Sequence, residues 1–383
     1  MEREQAIKLV QDLLRRVVER KGSDLFITAG FPPAIKIDGE LRPQSERPLT
    51  SEQASVITRA LMNDRQAKEY DSTKECNFAI APPGIGRFRV NVFMAQGHAG
   101  CVLRFINSVI PTLEDIDLPP ILKDVVLSKR GLVLVVGGTG SGKSTSLAAM
   151  LGYRNERTRG HIVTIEDPVE YVHEHRNCVV TQRELGIDTD SWYNALRNTL
   201  RQAPDVILIG EIRDRETMEY AIQFSDTGHL VLATLHASSS NQALDRIINF
   251  FPDDRREQLL MDLSLNIRAL ISQRLIPREG GQGRIAAMEI MLNSPLVQDL
   301  IFKGEVTRIK EVMARSTRMG MKTFDQALFE LYEAGFIAYE DALRNADSKN
   351  ELRLRVKLDS KREHKVFDHG DLSLLEEEEG RTR

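Results

Sequence analysis

Apolar positions Ile7, Leu9, Val10, Leu13, Leu14, Val17 and Val18 recur at helical spacing with Arg and Glu between them, which predicts an amphipathic helix ended by Lys21-Gly22. The period then changes. Asp24-Leu25-Phe26-Ile27-Thr28 and Pro33-Ala34-Ile35-Lys36-Ile37 read as short strands, the second closed by the turn pair Asp38-Gly39. Thr50-Ser51-Glu52-Gln53 carries the residues that cap a helix start. Alternation returns in Arg87-Phe88-Arg89-Val90-Asn91-Val92-Phe93 and in Ala99-Gly100-Cys101-Val102-Leu103-Arg104-Phe105, which read as further strands. These elements predict a small α+β domain over residues 1–108 and a proline-bearing linker at 109–120.

Beyond the linker the apolar runs lose their alternation. Leu132-Val133-Leu134-Val135-Val136, His161-Ile162-Val163-Thr164-Ile165, Asp205-Val206-Ile207-Leu208-Ile209 and His229-Leu230-Val231-Leu232-Ala233-Thr234 read as buried strands separated by helical stretches. That order marks a mostly parallel sheet flanked by helices, so an α/β core is expected over 121–292. Residues 261–276 read as an amphipathic helix and 284–291 as a strand. Asn293-Ser294-Pro295 caps further helices, a helical part at 293–345 whose Leu, Ile and Met stripes are core. The stretch 346–383 differs in character and reads as a charged, flexible tail. In it Leu352-Arg353-Leu354-Arg355-Val356-Lys357-Leu358 alternates as a strand with a basic face, and Glu376-Glu377-Glu378-Glu379 suits a solvated end or a docking element for a partner.

At 383 residues the chain exceeds what one hydrophobic core usually organises, in keeping with more than one domain. Its 52 basic and 56 acidic residues interleave to a net charge of −4, which speaks against a nucleic-acid partner, since such proteins usually carry a basic stripe. The chain opens on a charged amphipathic segment rather than a signal peptide, and no apolar run reaches the length of a bilayer span. No direct membrane insertion is expected, and any membrane association goes through a partner. Cys76, Cys101 and Cys178 lie far apart without paired spacing, which argues against a zinc ribbon or a disulfide framework and predicts reduced thiols in a cytoplasmic protein.

The candidate chemistry begins where the run 132–136 feeds into Gly137-Gly138-Thr139-Gly140-Ser141-Gly142-Lys143-Ser144-Thr145. This is a strand, a Gly-x-x-x-x-Gly-Lys-Ser loop (Walker A) and a helix start. The glycines let backbone N–H groups curl inward around phosphates, the helix adds its positive end, Lys143 reaches the outer phosphates and Ser144 is placed for Mg²⁺. The second buried strand ends in Glu166-Asp167-Pro168-Val169-Glu170, carboxylates at the sheet edge where ligands bind in open α/β folds. They repel one another, so either a cation compensates them or the loop is solvated. The third strand delivers Gly210-Glu211-Ile212-Arg213-Asp214, with Glu211 the candidate second magnesium-binding acid, although such strands usually end in Asp. The fourth delivers His236 to the same edge, and His229 begins it; both are open to a structural or a functional reading. Arg87, Arg89 and Arg104 are either the solvent face of a half-buried sheet or reach a phosphate bound elsewhere.

The phosphate loop, Ile165-Glu166-Asp167-Pro168-Val169-Glu170, Val206-Ile207-Leu208-Ile209-Gly210-Glu211-Ile212-Arg213-Asp214, and Thr227-Gly228-His229-Leu230 with Thr234-Leu235-His236 follow in an order that resembles the secretion-superfamily ATPases of type IV pili. Gly22-Ser23-Asp24-Leu25 and Gly30-Phe31-Pro32-Pro33 are similar to the opening of the retraction ATPases, the PilT/PilU family. The charged tail is most like the accessory PilU branch. So is Ser294-Pro295-Leu296-Val297-Gln298-Asp299-Leu300-Ile301-Phe302-Lys303, which departs from the Ala-Ile-Arg-Asn-Leu-Ile-Arg-Glu motif of PilT proteins.

This resemblance implies an N-terminal PAS-like α+β domain, a C-terminal RecA-like P-loop ATPase domain with a helical C-terminal part, and a homo-hexameric ring. ATP and Mg²⁺ would be its ligands. Its partners would be a PilT-like ATPase ring and the inner-membrane pilus platform protein, and its work pilus retraction in twitching motility. By the same resemblance Glu170 is the general base, Glu211 holds Mg²⁺ directly or through water, and His229 and His236 form a histidine box that senses the γ-phosphate. At least one of Arg87, Arg89 and Arg104 would approach the triphosphate when the domains close. Two other readings stay open: a nucleotide-gated structural partner with little activity of its own, and a DNA-associated secretion or conjugation ATPase.

Overall fold

The structure, a computed structural model, describes residues 2–37, 39–106 and 109–362. Asp38 and the run 376–379 lie outside the described residues. The N-terminal part holds a six-stranded antiparallel sheet of β1 (Asp24–Ile27), β2 (Ala34–Ile37), β3 (Glu40–Pro43), β4 (Glu75–Ile80), β5 (Arg87–Ala95) and β6 (His98–Ile106), ordered β3-β2-β1-β6-β5-β4. Along β5 the alternation does its expected work: Phe88, Val90 and Val92 are buried, while Arg87, Arg89 and Asn91 remain partly exposed on the other face. Helix Arg3–Glu19 lays Ala6, Val10, Leu13, Leu14 and Val17 on the buried face. Helix Ser51–Ala60 starts where Thr50 accepts from the Gln53 N–H.

The second sheet holds seven strands: β7 (Gly131–Val136), β8 (Gly160–Glu166), β9 (Cys178–Glu184), β10 (Val206–Ile209), β11 (Leu230–Leu235), β12 (Ile267–Pro277) and β13 (Arg284–Leu292), in the order β13-β12-β7-β11-β10-β8-β9. All pairings are parallel except that of β12 with β13. Every residue of β7, β10 and β11 is buried, as a sheet covered on both faces requires. Parallel strands finish on one edge, so whatever follows β7, β8, β10 and β11 is brought together.

Residues 261–276 are not one helix. Helix Arg256–Asn266 ends at Asn266 and β12 follows at once. An apolar run buried on both sides looks alike in either element, and here pairing with β7 and β13 decides it. Nor is 352–358 a strand: Lys349–Asp359 is a helix capped by Ser348. Leu352 and Val356, four apart, dock into a core with Tyr332, Ile337 and Ile285, leaving Leu354 and Leu358 exposed. Apolar residues at every second position place alternate members on two sides of a helix, so period alone misleads. The stretch up to residue 362 is therefore tied down rather than tail-like: Asp347 pairs with Arg274 at 2.9 Å and Lys310 at 2.7 Å, and Arg362 pairs with Glu279 at 2.9 Å. The three cysteines are free and buried, and no helix of the described residues is long and apolar enough to cross a membrane.

Candidate functional site

A cavity of about 510 Å³ opens at the carboxyl edge of the second sheet, walled by the loop after β7 and by residues that follow β8, β10 and β11. The chain leaves β7 at Val136, turns through the glycines and enters helix Lys143–Arg157. Two of the glycines are there because nothing larger fits. A Cβ on Gly137 would lie 2.6 Å from the Gln273 carbonyl oxygen, and one on Gly142, whose φ is +86°, would lie 2.8 Å from Gln273 Nε2. Gln273, buried on β12, also accepts from Ser146 Oγ at 2.8 Å and so braces both the loop and the first turn of the helix.

Lys143 Nζ donates to the carbonyl oxygens of Gly137 and Gly138, each at 2.9 Å. Burial pulls its pKa below the usual lysine value, with the Glu211 carboxylate acting in the opposite direction. Thr139, Gly140, Ser144 and Thr145 complete the rim, and the Thr145 hydroxyl shares a 2.9 Å hydrogen bond with that of Tyr171. Ser141 Oγ is buried without a hydrogen-bond partner.

Opposite the loop stand the acids. Glu211 is aimed by cross-strand bonds on both sides: Gly210 N–H donates to Ile165 O at 2.8 Å and Ile212 N–H to Thr234 O at 2.9 Å. Gly210 explains the departure from the usual strand-end Asp, since a Cβ there would sit 3.1 Å from the Glu166 Cα. The Glu211 carboxylate is held at one oxygen by His236 Nε2 at 2.9 Å and at the other by Arg213 Nε at 2.6 Å. Arg213 Nη1 lies 3.7 Å from Asp167 as well, so it is the cation that the neighbouring carboxylates call for. Glu166 is met differently. Burial raises its pKa, while Thr164 Oγ1 at 2.6 Å and Gln182 Nε2 at 3.1 Å donate to it. Glu170 is exposed on the cavity wall, in a loop fastened by Gln182, which donates to Tyr171 O at 2.9 Å and accepts from His173 N–H at 2.7 Å.

Four of the residues singled out from sequence stand elsewhere. His229 is at the amino end of β11, where its Nδ1 lies 3.0 Å from Phe224 O; the cavity is at the carboxyl end. Adjacency in sequence to a strand that ends at the site hid the strand's direction. Arg104 Nε donates to the buried Asp24 at 2.8 Å inside the first sheet. Arg87 faces Glu184 at 3.9 Å, with Arg89 near enough to act on the same carboxylate. None of the three arginines lines the cavity. Tyr171, His173 and the single tryptophan, Trp192, line the cavity, and Gln273, Gln182 and Arg213 brace residues that do; sequence singled out none of the six. Only Arg213 left a signal, as the one cation beside the acids of its own motif.

The donor set fits a nucleotide with a divalent cation. The glycine cradle excludes side chains, Ser141 and Lys143 line the cavity, and Ser144 with Glu211 offers oxygen ligands of the kind magnesium takes.

Comparison with known proteins agrees as to the nucleotide. The family described as "Type II/IV secretion system protein" matches residues 1–330. The type IV pilus ATPase PilU of Pseudomonas aeruginosa is 58% identical over 350 residues, 91% of this chain and 92% of that protein. The type IV pilus retraction ATPase PilT of the same organism is 42% identical over 337 residues, 88% of this chain and 98% of that one. A crystal structure of the pilus retraction motor PilT with bound ADP superposes with a TM-score of 0.84 at 37% identity, covering 90% of this chain and 99% of that chain. The α/β architecture is thus that of a two-domain secretion ATPase with a RecA-like core. By family, sequence and fold, the chain belongs to the type II/IV secretion system proteins, among the type IV pilus ATPases of the PilT/PilU group.

Proposed function

We propose that this chain hydrolyses ATP with Mg²⁺ in the cavity and works as a homo-hexameric motor that powers or assists type IV pilus retraction. In this reading it acts beside a PilT-type ring and through the inner-membrane platform protein. The observation that carries the catalytic part is the placing of Glu211, delivered by a buried strand opposite the phosphate loop and held by His236 and Arg213. The accessory role is supported by the identity to PilU and by helix Pro295–Phe302, which exposes Leu296 and Phe302 where PilT proteins carry a different motif. Residues 1–108 would be the domain that moves, 109–120 its hinge, 121–292 the ATPase core and 293–345 the helical part.

Phosphoryl transfer to water needs placed charge more than covalent help. Lys143 and the backbone N–H groups of 138–145 hold the phosphates. Ser144 and Glu211 would hold Mg²⁺, which when bound neutralises charge on the phosphate oxygens. Glu170 takes the proton of the attacking water as its oxygen bonds to the γ-phosphorus and ADP leaves. His236 reads the γ-phosphate through its bond to Glu211. No such part is assigned to His229.

The test is Mg²⁺-dependent ATP hydrolysis by the purified chain beside Glu170→Gln, with nucleotide binding measured on both. Turnover by the parent and binding without turnover by the variant supports the reading. Full turnover by Glu170→Gln overturns the role of Glu170. Binding without turnover by both favours the nucleotide-gated structural partner, idle until another ring activates it.

A further inference from the structure

The loop 167–177 that carries Glu170 is fastened at its base by a residue that touches neither substrate nor metal in the scheme above. Glu184, the last residue of β9, is only 1% exposed. Its Oε2 accepts the Val169 N–H at 3.3 Å, one residue before Glu170. The same oxygen lies 3.9 Å from Arg87 Nη2, at the start of β5 in the other sheet. Burial lifts the Glu184 pKa, and the charges of Arg89 and Arg87 pull it back. A buried carboxylate without a countercharge is costly. This one draws its countercharge from the other sheet. The pair is not closed: 3.9 Å is beyond hydrogen-bond distance, and the Arg87 Nε is buried without a partner. A shift of the first sheet by about 1 Å decides whether Arg87 and Glu184 make a charge-assisted hydrogen bond.

We propose that Glu184 is a positioning residue through which the place of the N-terminal sheet is read by the Glu170 loop. When Arg87 closes on it, the carboxylate holds the Val169 N–H and sets Glu170 in the cavity. When the first sheet withdraws, Arg87 and Arg89 leave together, and Glu184 loses its countercharge and the loop its anchor. The catalytic consequence rests on the assignment of Glu170 to the attacking water.

Hydrogen exchange of the amides at 169–174 in the full chain tests the relay, in Glu184→Gln, Arg87→Gln, the double variant and Arg87→Lys. Glu184→Gln keeps the shape and the acceptor for Val169. Each Gln variant is expected to speed exchange about tenfold, and the double variant no further. Arg87→Lys, which keeps the charge, restores part of the protection. In the same proteins kcat falls while the Kd for ATP stays within twofold of the parent, about 0.4 kcal/mol. Unchanged exchange in Arg87→Gln, or effects that multiply in the double variant, overturns the relay. Should the exchange coupling hold while Glu170→Gln still turns over ATP, it is the assignment of Glu170 that falls.

Discussion

His236 Nε2 lies 2.9 Å from Glu211 Oε1, and the second oxygen of that carboxylate accepts from Arg213 Nε at 2.6 Å. The acid assigned to magnesium is thus already engaged by an imidazole and a guanidinium, which would have to share or release the carboxylate for a metal to be held there. Glu211→Gln keeps one acceptor but loses the charge. Nucleotide binding by this variant is expected to lose its dependence on Mg²⁺ while binding of the metal-free nucleotide persists. A titration of Mg²⁺ into nucleotide-bound protein decides it; a curve like the parent's removes Glu211 from the metal site.

Lys143→Ala takes away the ammonium that now donates to two loop carbonyls. Hydrogen bonds to charged groups contribute about 1.5–3 kcal/mol each, so nucleotide affinity should fall about 10- to 100-fold and turnover should be lost. Undiminished hydrolysis would remove the site from this cavity.

Glu170→Gln should retain nucleotide and lose about 10²- to 10⁴-fold in kcat, the range expected for removing a general base. Since Glu170 is exposed on the wall rather than part of the core, its thermal stability should match the parent's. A variant that loses nucleotide instead would mark Glu170 as a binding group.

Burial pushes the His173 pKa down to about 4, against an ordinary value near 6.5. Between those two values the unfolded chain binds more protons than the folded one, so stability rises with pH across the window and is lost as pH falls through it. His173→Gln should therefore melt with a shallower decline between pH 6.5 and 4. Parallel melting curves for the two proteins would show that His173 is not the group responsible.

Truncation after Asn345 removes Leu352 and Val356 from a core and breaks the Asp347 pairs with Arg274 and Lys310. Burial of side chains this size stabilises by about 1.5–3 kcal/mol each, so the melting temperature should drop by several degrees. Truncation after Arg362 leaves those contacts in place and is the cleaner way to ask whether the acidic end docks a partner. Equal stability of the two truncations would contradict the packing described for helix Lys349–Asp359.

The site was legible in sequence where chemistry sits at the end of a strand. The glycine loop, Glu211 and His236 each follow an apolar run directly, and parallel strands gather such ends on one edge whatever their order. What escaped depends on register and direction. Gln273 reaches the loop only because β12 pairs with β7, and the apolar run leading to β12 looks as much like a helix as a strand. His229 flanks the same strand as His236 but at its other end. Gln182 and Glu184 lie on an edge strand whose polar residues carry no period. Arg213 stood in plain view, yet which two acids it joins is fixed by its rotamer rather than its position.

The brace that Gln273 supplies has a consequence for the making of the protein. Ser146 and Gln273 are 127 residues apart, so the glycine motif leaves the ribosome long before the residue that holds it in shape. A nascent chain halted short of residue 273 carries the whole motif and no finished cradle, because long-range pairing must wait for its distant strand. Nucleotide capture would therefore report that the second sheet has closed around β12. In the cell, ATP would favour chains extended past β12 over fragments that merely contain the motif.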